Sequence, residues 1–331
     1  MTVPTLSTLD SGQTAAVLSA ALHELHGPDA RLEGWTADFR FTEHGKQRVV
    51  RYDLQARLAG GAEVQRDQWV GKFYDRDQDA RKVAAVLQVL AHGDFCARGG
   101  LKVPRVVAYH QSRQSRHQLL LTYERGEPVS FAIAHDTGAV LAAIGRTLAA
   151  LHVARIPLDA VTTPATVLAE LRSRVGDLCA ALPGQTTAIR RTWNQLEAQA
   201  PPLPVTPSFV HGDFGPANLL WSVGRIVVLD FDKCALGDPA LDLGNPLAQL
   251  RRMTVRKPGR LQDFPSARAR VVGTYQAWSA PDPGLDERVA WYERATLLRK
   301  IHGLVCKSAP PEEPDGLRQR QVEASRLLSL T

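Results

Sequence analysis

The chain has 331 residues, 44% of them hydrophobic and 22% charged, which is the composition of a soluble globular protein long enough for two compact units. Its apolar runs are far too short to span a bilayer, and no basic stretch leads into an apolar segment at its start, so we expect a cytoplasmic protein with no membrane partner. The basic residues behind the net charge of +6 are spread along the chain without an aromatic-basic motif, so a nucleic-acid partner is not favoured.

The first 124 residues predict a small unit built on an antiparallel sheet. Apolar residues at helical spacing predict two helices, over residues 11–25 and 79–90. Alternating segments bounded by turn residues predict five strands, over residues 34–41, 49–58, 68–74, 103–109 and 118–123.

A break at residues 124–128 separates this unit from a mainly helical remainder. The expected division is therefore 1–124 and 125–331. Helical periodicity after the break predicts five helices, over residues 139–152, 167–182, 187–198, 266–278 and 286–304. The last two are expected to close the chain before a Pro-rich, acidic tail at 310–314.

The most informative segment runs from His211 to Asp230. Asp213 follows His211-Gly212, Asn218 comes five residues later, and Asp230 follows the apolar run 226–229. Two short strands, over 219–221 and 225–229, predict a hairpin that brings Asn218 and Asp230 to the same end. Phosphoryl transfer requires a carboxylate that orients the acceptor hydroxyl and accepts its proton, and oxygen ligands that hold Mg²⁺ against the phosphates of ATP. We therefore interpret Asp213 as the catalytic residue and Asn218 and Asp230 as metal ligands.

The first four residues of this segment, His-Gly-Asp-Phe, occur a second time in the chain, and the second occurrence serves as a comparison. His92-Gly93-Asp94-Phe95 repeats the phrase, but Gly99 stands five residues after Asp94 and no Asp-Phe-Asp follows a hairpin. We interpret this copy as a solvated turn at a helix end. The four-residue phrase alone therefore indicates little, and the complete constellation around Asp213 carries the prediction.

The amino-acid sequence of the segment from His211 to Leu243 resembles a known family. His211-Gly-Asp-Phe-Gly-Pro-Ala-Asn-Leu-Leu220, then Leu229-Asp-Phe-Asp232 and Gly237-Asp-Pro-Ala-Leu-Asp-Leu243, is similar to the aminoglycoside phosphotransferase and choline kinase superfamily. The resemblance implies a bilobal, protein-kinase-like α+β fold with a five-stranded antiparallel N-lobe carrying one helix and a mainly helical C-lobe. It also implies ATP and Mg²⁺ as cofactors and a small hydroxylated molecule as substrate.

The resemblance assigns further residues. Lys72, which lies mid-strand where an anion would have to meet it, looks like the lysine that binds the nucleotide phosphates. The following helix has no glutamate to pair with Lys72, and Asp79 is the best substitute. The first turn has a single glycine in place of a glycine-rich phosphate loop.

The resemblance also assigns roles to residues next to the break at 124–128 and to further residues of the motif. Adenine is expected to bond backbone groups at Thr122, Tyr123 and Glu124, and Asp232 is expected to assist the metal. Three residues are expected to be structural, His211 in its loop and Asp238 and Asp242 as acceptors for backbone N–H groups at turns and helix starts.

The acceptor is the least specified part. Antibiotic O-phosphorylation is favoured by the resemblance, while a sugar or amino-alcohol kinase and a nucleotide-binding pseudokinase remain open. From Lys233 to the end there are 16 basic against 11 acidic residues, which weakens a polycationic acceptor, although Glu293, Glu312, Glu313 and Asp315 are available for a local acidic pocket. Aromatic residues that could box a choline-like head group are better interpreted as helix-packing residues: Tyr275, Trp278, Trp291 and Tyr292.

Two remaining features favour ordinary structural roles. A local basic cluster between Arg251 and Arg260 is interpreted as a solvated loop. The four cysteines are scattered without paired spacing and are interpreted as reduced, buried thiols: Cys96, Cys179, Cys234 and Cys306. The sequence makes no prediction of the oligomeric state.

Overall fold

The computed structural model of the protein describes residues 11–43, 46–58, 63–93, 100–111, 116–202, 206–307 and 314–331. These form two compact units. The first comprises the described residues up to Gly93 and from Val103 to Arg125. The second comprises the described residues of 100–102 and those from Gly126 to Thr331.

The first unit is a five-stranded antiparallel sheet with two helices, as predicted. The sheet order is β1-β2-β3-β6-β5. The elements are α1 (Ser11–His26), β1 (Arg31–Glu43), β2 (Lys46–Arg57), β3 (Val64–Tyr74), α2 (Asp77–His92), β5 (Val106–His110) and β6 (His117–Thr122), and the short β4 (Leu101–Lys102) belongs to the second unit. Helix α1 packs on the sheet in a core that includes Leu18, Leu22, Tyr52, Trp69 and Phe73.

Strand β3 shows why this sheet has two different faces. Trp69, Gly71 and Phe73 are buried, while Lys72 between them is half-buried, because successive residues of a strand point to opposite faces. Gly71 allows a close approach on the core face: a Cβ there would lie 2.7 Å from Gln118 Nε2 and 2.7 Å from the Tyr52 ring. Lys72 is thereby placed on the face opposite the apolar core.

The second unit is mainly helical with two small sheets. One sheet has the order β4-β11-β10-β7 and the other β8-β12-β9. The remaining elements are, in chain order, β7 (Glu127–Pro128), α3 (Val129–Ala132), α4 (Thr137–His152), β8 (Val161–Thr162), α5 (Pro164–Ala181), α6 (Thr186–Ala198), β9 (Ser208–Val210), β10 (Leu219–Ser222), β11 (Arg225–Val228), β12 (Ala235–Gly237), α7 (Pro239–Arg256), α8 (Phe264–Trp278), α9 (Leu285–His302) and α10 (Pro314–Leu328).

Several helix starts follow directly from the sequence. Pro164 and Pro239 occupy first-turn positions, where a missing N–H costs nothing. The Asp238 side chain accepts a hydrogen bond from Ala240 N at 3.0 Å, and the Asp263 side chain accepts one from Ser266 N at 3.0 Å. These caps fix where α7 and α8 begin.

The interpretation of residues 251–260 as a solvated basic loop is wrong. Its first three arginines lie on the last turns of α7 and form ion pairs, because Glu293 and Glu323 on later helices face them. After the helix, Lys257 and Arg260 stand over the Phe131 ring, at 5.7 and 3.8 Å from its centroid.

The prediction that two helices close the chain is also wrong, since a third helix, α10, follows them. Its residues Ala324, Leu327 and Leu328 are buried. The acidic tail predicted at 310–314 lies mostly outside the described residues.

The cysteine interpretation holds only in part. Cys234 is buried, Cys179 is half-buried and Cys306 is exposed, and all three are free thiols; Cys96 lies outside the described residues. Among the helices that the structure describes, none combines the length and apolar character needed to cross a membrane.

Candidate active site

The loop that carries Asp213 joins β9 to β10, and a buried carboxylate bonds its backbone. Asp242, on the first turn of α7, is fully buried and accepts hydrogen bonds from His211 N at 2.5 Å and from Gly212 N at 2.9 Å. His152, at the end of α4, lies with Nε2 3.4 Å from the same carboxylate. Asp238 and Asp242 therefore bond backbone N–H groups, as predicted.

His211 connects the loop to the end of β11. Its Nε2 donates to Leu229 O at 2.9 Å, and its Nδ1 accepts from Asp213 N at 3.2 Å, which requires the neutral ring with the proton on Nε2. The ring is fully buried and lies 4.8 Å from the Phe231 ring and 5.9 Å from the Phe214 ring, centroid to centroid. Both ring nitrogens are thus engaged in holding the loop, which fits the predicted structural role.

Gly212 is the residue that lets this loop pass close to its neighbour. Its φ is +77°, in the left-handed region that disfavours side chains. A Cβ on Gly212 would lie 2.4 Å from Lys233 O. Only glycine fits between His211 and Asp213 without displacing the backbone of residue 233.

Asp213 itself is only partly exposed and is bonded to a lysine. Lys233 Nζ donates to Asp213 Oδ2 at 2.6 Å. Burial on its own would raise the pKa of the Asp213 carboxyl, but the charge and hydrogen bond of Lys233, together with the charges of Lys300 and Arg299, outweigh burial and lower that pKa. Asp213 is therefore held as a carboxylate.

The predicted hairpin brings Asn218 next to the residue that precedes Asp230. Leu219 pairs with Val228 in the β10–β11 register, and Leu229 N donates to Asn218 O at 2.9 Å. The Asn218 side-chain amide donates to Asp213 O at 3.0 Å, which fixes its orientation against the loop. Asp230 adopts left-handed angles, φ 64° and ψ 72°, and starts a 3₁₀ turn at Phe231–Lys233.

The donor set at this point suits a hard cation. Asn218 contributes an amide oxygen, and Asp230 and Asp232 contribute exposed carboxylates. The described residues contain no group of three or more His, Cys, Asp and Glu side chains able to hold a metal ion. Mg²⁺ commonly takes one or two carboxylates and completes its shell with water and phosphate oxygens, so these residues fit it.

The nucleotide residues expected in the first unit have the following surroundings. Lys72 pairs in register with Val49 and Leu119 on the neighbouring strands, and its Nζ stands 5.6 Å from the centroid of the Tyr74 ring. The Asp79 carboxylate accepts two hydrogen bonds from Arg76, at 2.8 and 3.2 Å. A pairing of Asp79 with Lys72 stays a prediction.

The segment expected to bind adenine continues the sheet. Thr122 N donates to Arg105 O at 2.9 Å, and Tyr123 N donates to Gln68 O at 3.1 Å. The Thr122 hydroxyl donates to Glu124 Oε1 at 2.8 Å. The first two N–H groups are engaged within the unit, so contacts from Thr122 and Tyr123 to a base would be made by other backbone groups.

Comparison with known proteins identifies the family. The family model described as the phosphotransferase enzyme family matches residues 57–284, more than half of the chain and including the whole catalytic loop. The chain belongs to the phosphotransferase enzyme family. No curated protein matches the chain significantly.

Solved structures similar to this phosphotransferase include aminoglycoside phosphotransferases. A thermostable mutant of APH(4)-Ia, in a ternary complex with ADP and hygromycin B, is 16% identical with a TM-score of 0.58, and the match covers 94% of this chain and 98% of that one. The GDP and kanamycin complex of APH(2")-IIia is 13% identical with a TM-score of 0.56, covering 95% and 99%. The GDP complex of wild-type aminoglycoside 2'-phosphotransferase-IIIa is 14% identical with a TM-score of 0.56, covering 95% and 98%. The predicted kinase-like α+β fold is thereby confirmed.

The structure bears on two acceptor sites that the sequence left open, a local acidic pocket and an aromatic box for a choline-like head group. Glu293 is not available for an acidic pocket, because it is buried and pairs with Arg251 at 2.5 Å. Glu312 and Glu313 and the side chain of Asp315 lie outside the described residues. The interpretation of the aromatic residues as helix-packing residues holds for Tyr275, Trp291 and Tyr292, which are buried, while Trp278 is 54% exposed.

Sequence reasoning missed the basic residues around Asp213. Lys233 stands next to the predicted metal-assisting Asp232, and its position beside the motif was a usable signal. Arg299 and Lys300 lie on α9, more than 80 residues after Asp213, and no local pattern marks them. Asn245, which donates to Gly212 O at 3.3 Å, was missed for the same reason.

Proposed function

We propose that this phosphotransferase transfers the γ-phosphate of ATP to a hydroxyl group of a small molecule, with Mg²⁺ held by Asn218 and Asp230 and assisted by Asp232. One observation carries the proposal. The loop bearing Asp213 is bonded to the segment 229–233 through His211, Asn218 and Lys233, so a carboxylate for the hydroxyl and oxygen ligands for a metal are held as one assembly.

In this proposal Asp213 positions the acceptor hydroxyl and takes its proton as the hydroxyl oxygen bonds to the γ-phosphorus. The bond from that phosphorus to the bridging oxygen breaks at the same centre, and ADP leaves with the electron pair. Mg²⁺, when bound, supplies charge stabilisation at the phosphate oxygens. Positioning is the main contribution, because phosphoryl transfer depends more on alignment than on strong base catalysis.

Residues of the first unit supply the rest of the nucleotide site. Lys72 is proposed to bind the phosphates and backbone groups of residues 122–124 to bind the base. The solved relatives support a nucleotide here, since they contain ADP or GDP, and ATP is proposed as the donor. The cytoplasm is the compartment in which such a kinase would find ATP.

The acceptor is proposed to be a small hydroxylated compound. The solved relatives that contain hygromycin B or kanamycin make hydroxylated antibiotics the first class to test, followed by sugars and amino alcohols. Their identity to this chain is 16% or less, so they support the reaction and leave the choice of acceptor to experiment.

The test is Mg²⁺-ATP consumption by the purified protein against a panel of these acceptors. Asp213→Ala is expected to abolish transfer with ATP binding retained, and Asp230→Ala to lose Mg²⁺-dependent nucleotide binding. Asp94→Ala is a matched control, because it removes the same residue from the other His-Gly-Asp-Phe phrase and is expected to leave the rate unchanged.

Each result has a definite meaning. Turnover that is lost in Asp213→Ala and kept in Asp94→Ala supports the proposal. Full activity in Asp213→Ala would remove the assigned role of this residue. Nucleotide binding without turnover on any acceptor would favour a pseudokinase and overturn the proposed reaction.

A further inference from the structure

Three basic side chains of the second unit act on the Asp213 carboxylate, and a fourth acts on one of these three. Lys233 bonds its carboxylate at 2.6 Å, and Lys300 and Arg299 on α9 act on the same carboxylate through their charge. Arg252 on α7 acts in turn on Lys300. These four residues are called the cationic cluster below.

The position of the cluster against the catalytic loop is fixed by hydrogen bonds. Arg299 Nη2 donates to Asn245 Oδ1 at 2.8 Å, and the Asn245 amide donates to Gly212 O at 3.3 Å. Thr296 also donates to Asn245 Oδ1, at 2.8 Å. One side chain therefore separates the Arg299 guanidinium from the backbone beside Asp213.

Two members of the cluster have acidic partners of their own. Arg252 pairs with Glu323 at 2.6 Å, and Arg299 lies 3.8 Å from the half-exposed Glu170. Lys300 is attracted by the charge of Asp213, which already accepts a hydrogen bond from Lys233. With Asp230 and Asp232 assigned to Mg²⁺, the four basic groups of the cluster are accompanied by three acidic ones, Asp213, Glu323 and Glu170, so positive charge is in excess beside Asp213.

Lys300 shows the consequence of this excess. Burial, followed by the repulsion of Arg299, Lys233 and Arg252, lowers the pKa of its ammonium group against the attraction of Asp213. A half-buried ammonium group in such a position is destabilising until an anion joins it. Carboxylate and phosphate groups are the anions that lysine and arginine side chains bind through charge-assisted hydrogen bonds.

We propose that the acceptor carries an anionic group, a carboxylate or a phosphate, near the hydroxyl that is phosphorylated, and that Lys300 and Arg299 bind it. This rests on the proposed function and narrows its acceptor class. An acceptor with ammonium groups at the same place meets like charge, which costs free energy in a partly buried site.

The main competing role for the cluster is to bind the transferred phosphate. That role predicts an equal effect of a cluster variant on every acceptor, together with a raised KM for ATP. Binding of the acceptor predicts an effect confined to anionic acceptors, with the KM for ATP unchanged. A comparison of kcat and KM for both substrates separates the two.

The experiment measures kcat/KM for matched acceptors that share one carbon frame. Glucose, glucosamine, gluconate and glucose 6-phosphate form one set, and glycerol, glycerate and glycerol 3-phosphate form another, so that neutral, cationic, carboxylate and phosphate arms are compared. The highest kcat/KM is expected in a carboxylate or phosphate arm, and the better of these two arms identifies the group. Lys300→Gln is expected to lower that value about tenfold to a hundredfold, because a charge-assisted hydrogen bond is lost.

Two variants control for structural damage. Arg294→Gln removes the same charge from the same helix, at a residue that bonds Gln199, and is expected to leave kcat/KM unchanged. Lys300→Arg keeps the charge and is expected to keep the preference for the anionic acceptor. A loss in Lys300→Gln that Lys300→Arg restores cannot come from misfolding of α9.

The failures of the two proposals are distinguishable. Preferred turnover of neutral or cationic acceptors, or a Lys300→Gln effect that is equal on all acceptors, overturns the anionic acceptor and leaves the proposed reaction standing. Absence of turnover in every arm and across the antibiotic panel overturns the proposed reaction itself, and the acceptor proposal with it.

Discussion

The catalytic loop and the helices that follow it are held by different kinds of interaction. In the loop, buried side chains bond main-chain groups: Asp242 accepts from His211 N and Gly212 N, and His211 donates to Leu229 O. Between α7, α9 and α10, side chains bond side chains, with Arg251 on Glu293 at 2.5 Å and Arg252 on Glu323 at 2.6 Å.

This difference explains what each region can tolerate. A main-chain group cannot move away without moving the chain, so the side chain that bonds it determines the position of Asp213 directly. An ion pair between two helices stabilises their packing but leaves the backbone of each helix unchanged if it is lost. Changes in the loop are therefore expected to affect turnover and stability together, and a change in the Arg251–Glu293 pair between the helices is expected to affect stability alone.

The largest effect is expected for Asp242→Ala. It leaves the N–H groups of His211 and Gly212 buried without an acceptor, so we expect a loss of about 3–5 kcal/mol in the free energy of unfolding and a fall in turnover of about 100-fold or more. Urea denaturation and the Mg²⁺-ATP assay measure the two effects on the same preparation.

Asp286→Ala is the control for Asp242→Ala. Asp286 pairs with Arg268 at 3.1 Å and its side chain is 57% exposed, so its removal is expected to change stability by about 0.5 kcal/mol or less. Equal effects of the two substitutions would show that Asp242 does not anchor the loop.

The second effect is expected for Arg251→Ala. Among the described residues, the buried Glu293 carboxylate then keeps one ionic partner, Arg268 at 3.9 Å. We therefore expect the free energy of unfolding to fall by about 2–4 kcal/mol. Turnover per folded molecule is expected to stay the same, unlike in Asp242→Ala.

Arg172→Ala gives the matching surface pair. Arg172 and Glu197 lie 2.9 Å apart, and their side chains are 73% and 38% exposed. Loss of this ion pair is expected to lower the free energy of unfolding by about 0.5 kcal/mol or less. If Arg251→Ala lowered turnover as strongly as Asp242→Ala, the two regions would not differ in the way described.

The sequence predicts the arrangement of the catalytic loop better than it predicts the contacts between the helices. Asp213, Asn218 and Asp230 are joined by a loop and a hairpin, and their relation follows from spacing along the chain. Arg251 and Glu293 are 42 residues apart and Arg252 and Glu323 are 71 apart, so only packing of the helices reveals these pairs. The excess of positive charge around Asp213 was invisible for that reason, although the balance of 16 basic to 11 acidic residues pointed in its direction.

Two of the helices that the sequence analysis did not predict, α7 and α10, have physical explanations. Helix α7 contains Gly244 and Pro246, which disfavour an isolated helix, but Gly244 allows close packing, since a Cβ there would lie 2.7 Å from Glu293 N. Helix α10 has a weakly apolar sequence and follows the Pro-rich segment 310–314. In both cases packing against α9 and its neighbours stabilises a helix that local propensity does not favour.

A smaller effect, visible only through pH, is expected for Lys300, which faces Asp213, Arg299, Lys233 and Arg252. Burial lowers its pKa in the folded chain from 10.5, so between the lowered value and 10.5 the unfolded chain binds more protons than the folded one. Stability from this residue therefore rises as the pH rises through that window.

Urea denaturation on the alkaline side, compared between the wild type and Lys300→Gln, measures this contribution. The variant is expected to lack the rise. Parallel pH profiles for the two proteins would mean that Lys300 is not perturbed and would weaken its place in the cationic cluster.

The smallest effect is expected at the tip of the hairpin that joins Asn218 to Asp230. Val223 and Gly224 have φ of 49° and 74°, the pattern of a type I′ turn, in which Asn is preferred at the first position and a β-branched residue is strained. Val223 is 97% exposed, so Val223→Asn removes no buried contact. We expect it to raise the free energy of unfolding by about 0.5–1 kcal/mol.

Val153→Asn is the control for the turn, because Val153 is 56% exposed but has an ordinary φ of −86°, and no gain is expected there. Turnover is expected to be unchanged in Val223→Asn, since His211 and Asp242 hold the loop independently of the turn. A rise in turnover with stability would instead mean that strain at the hairpin tip reaches Asn218 and Asp230. The turn would then belong with the catalytic loop, as a region whose changes affect turnover and stability together.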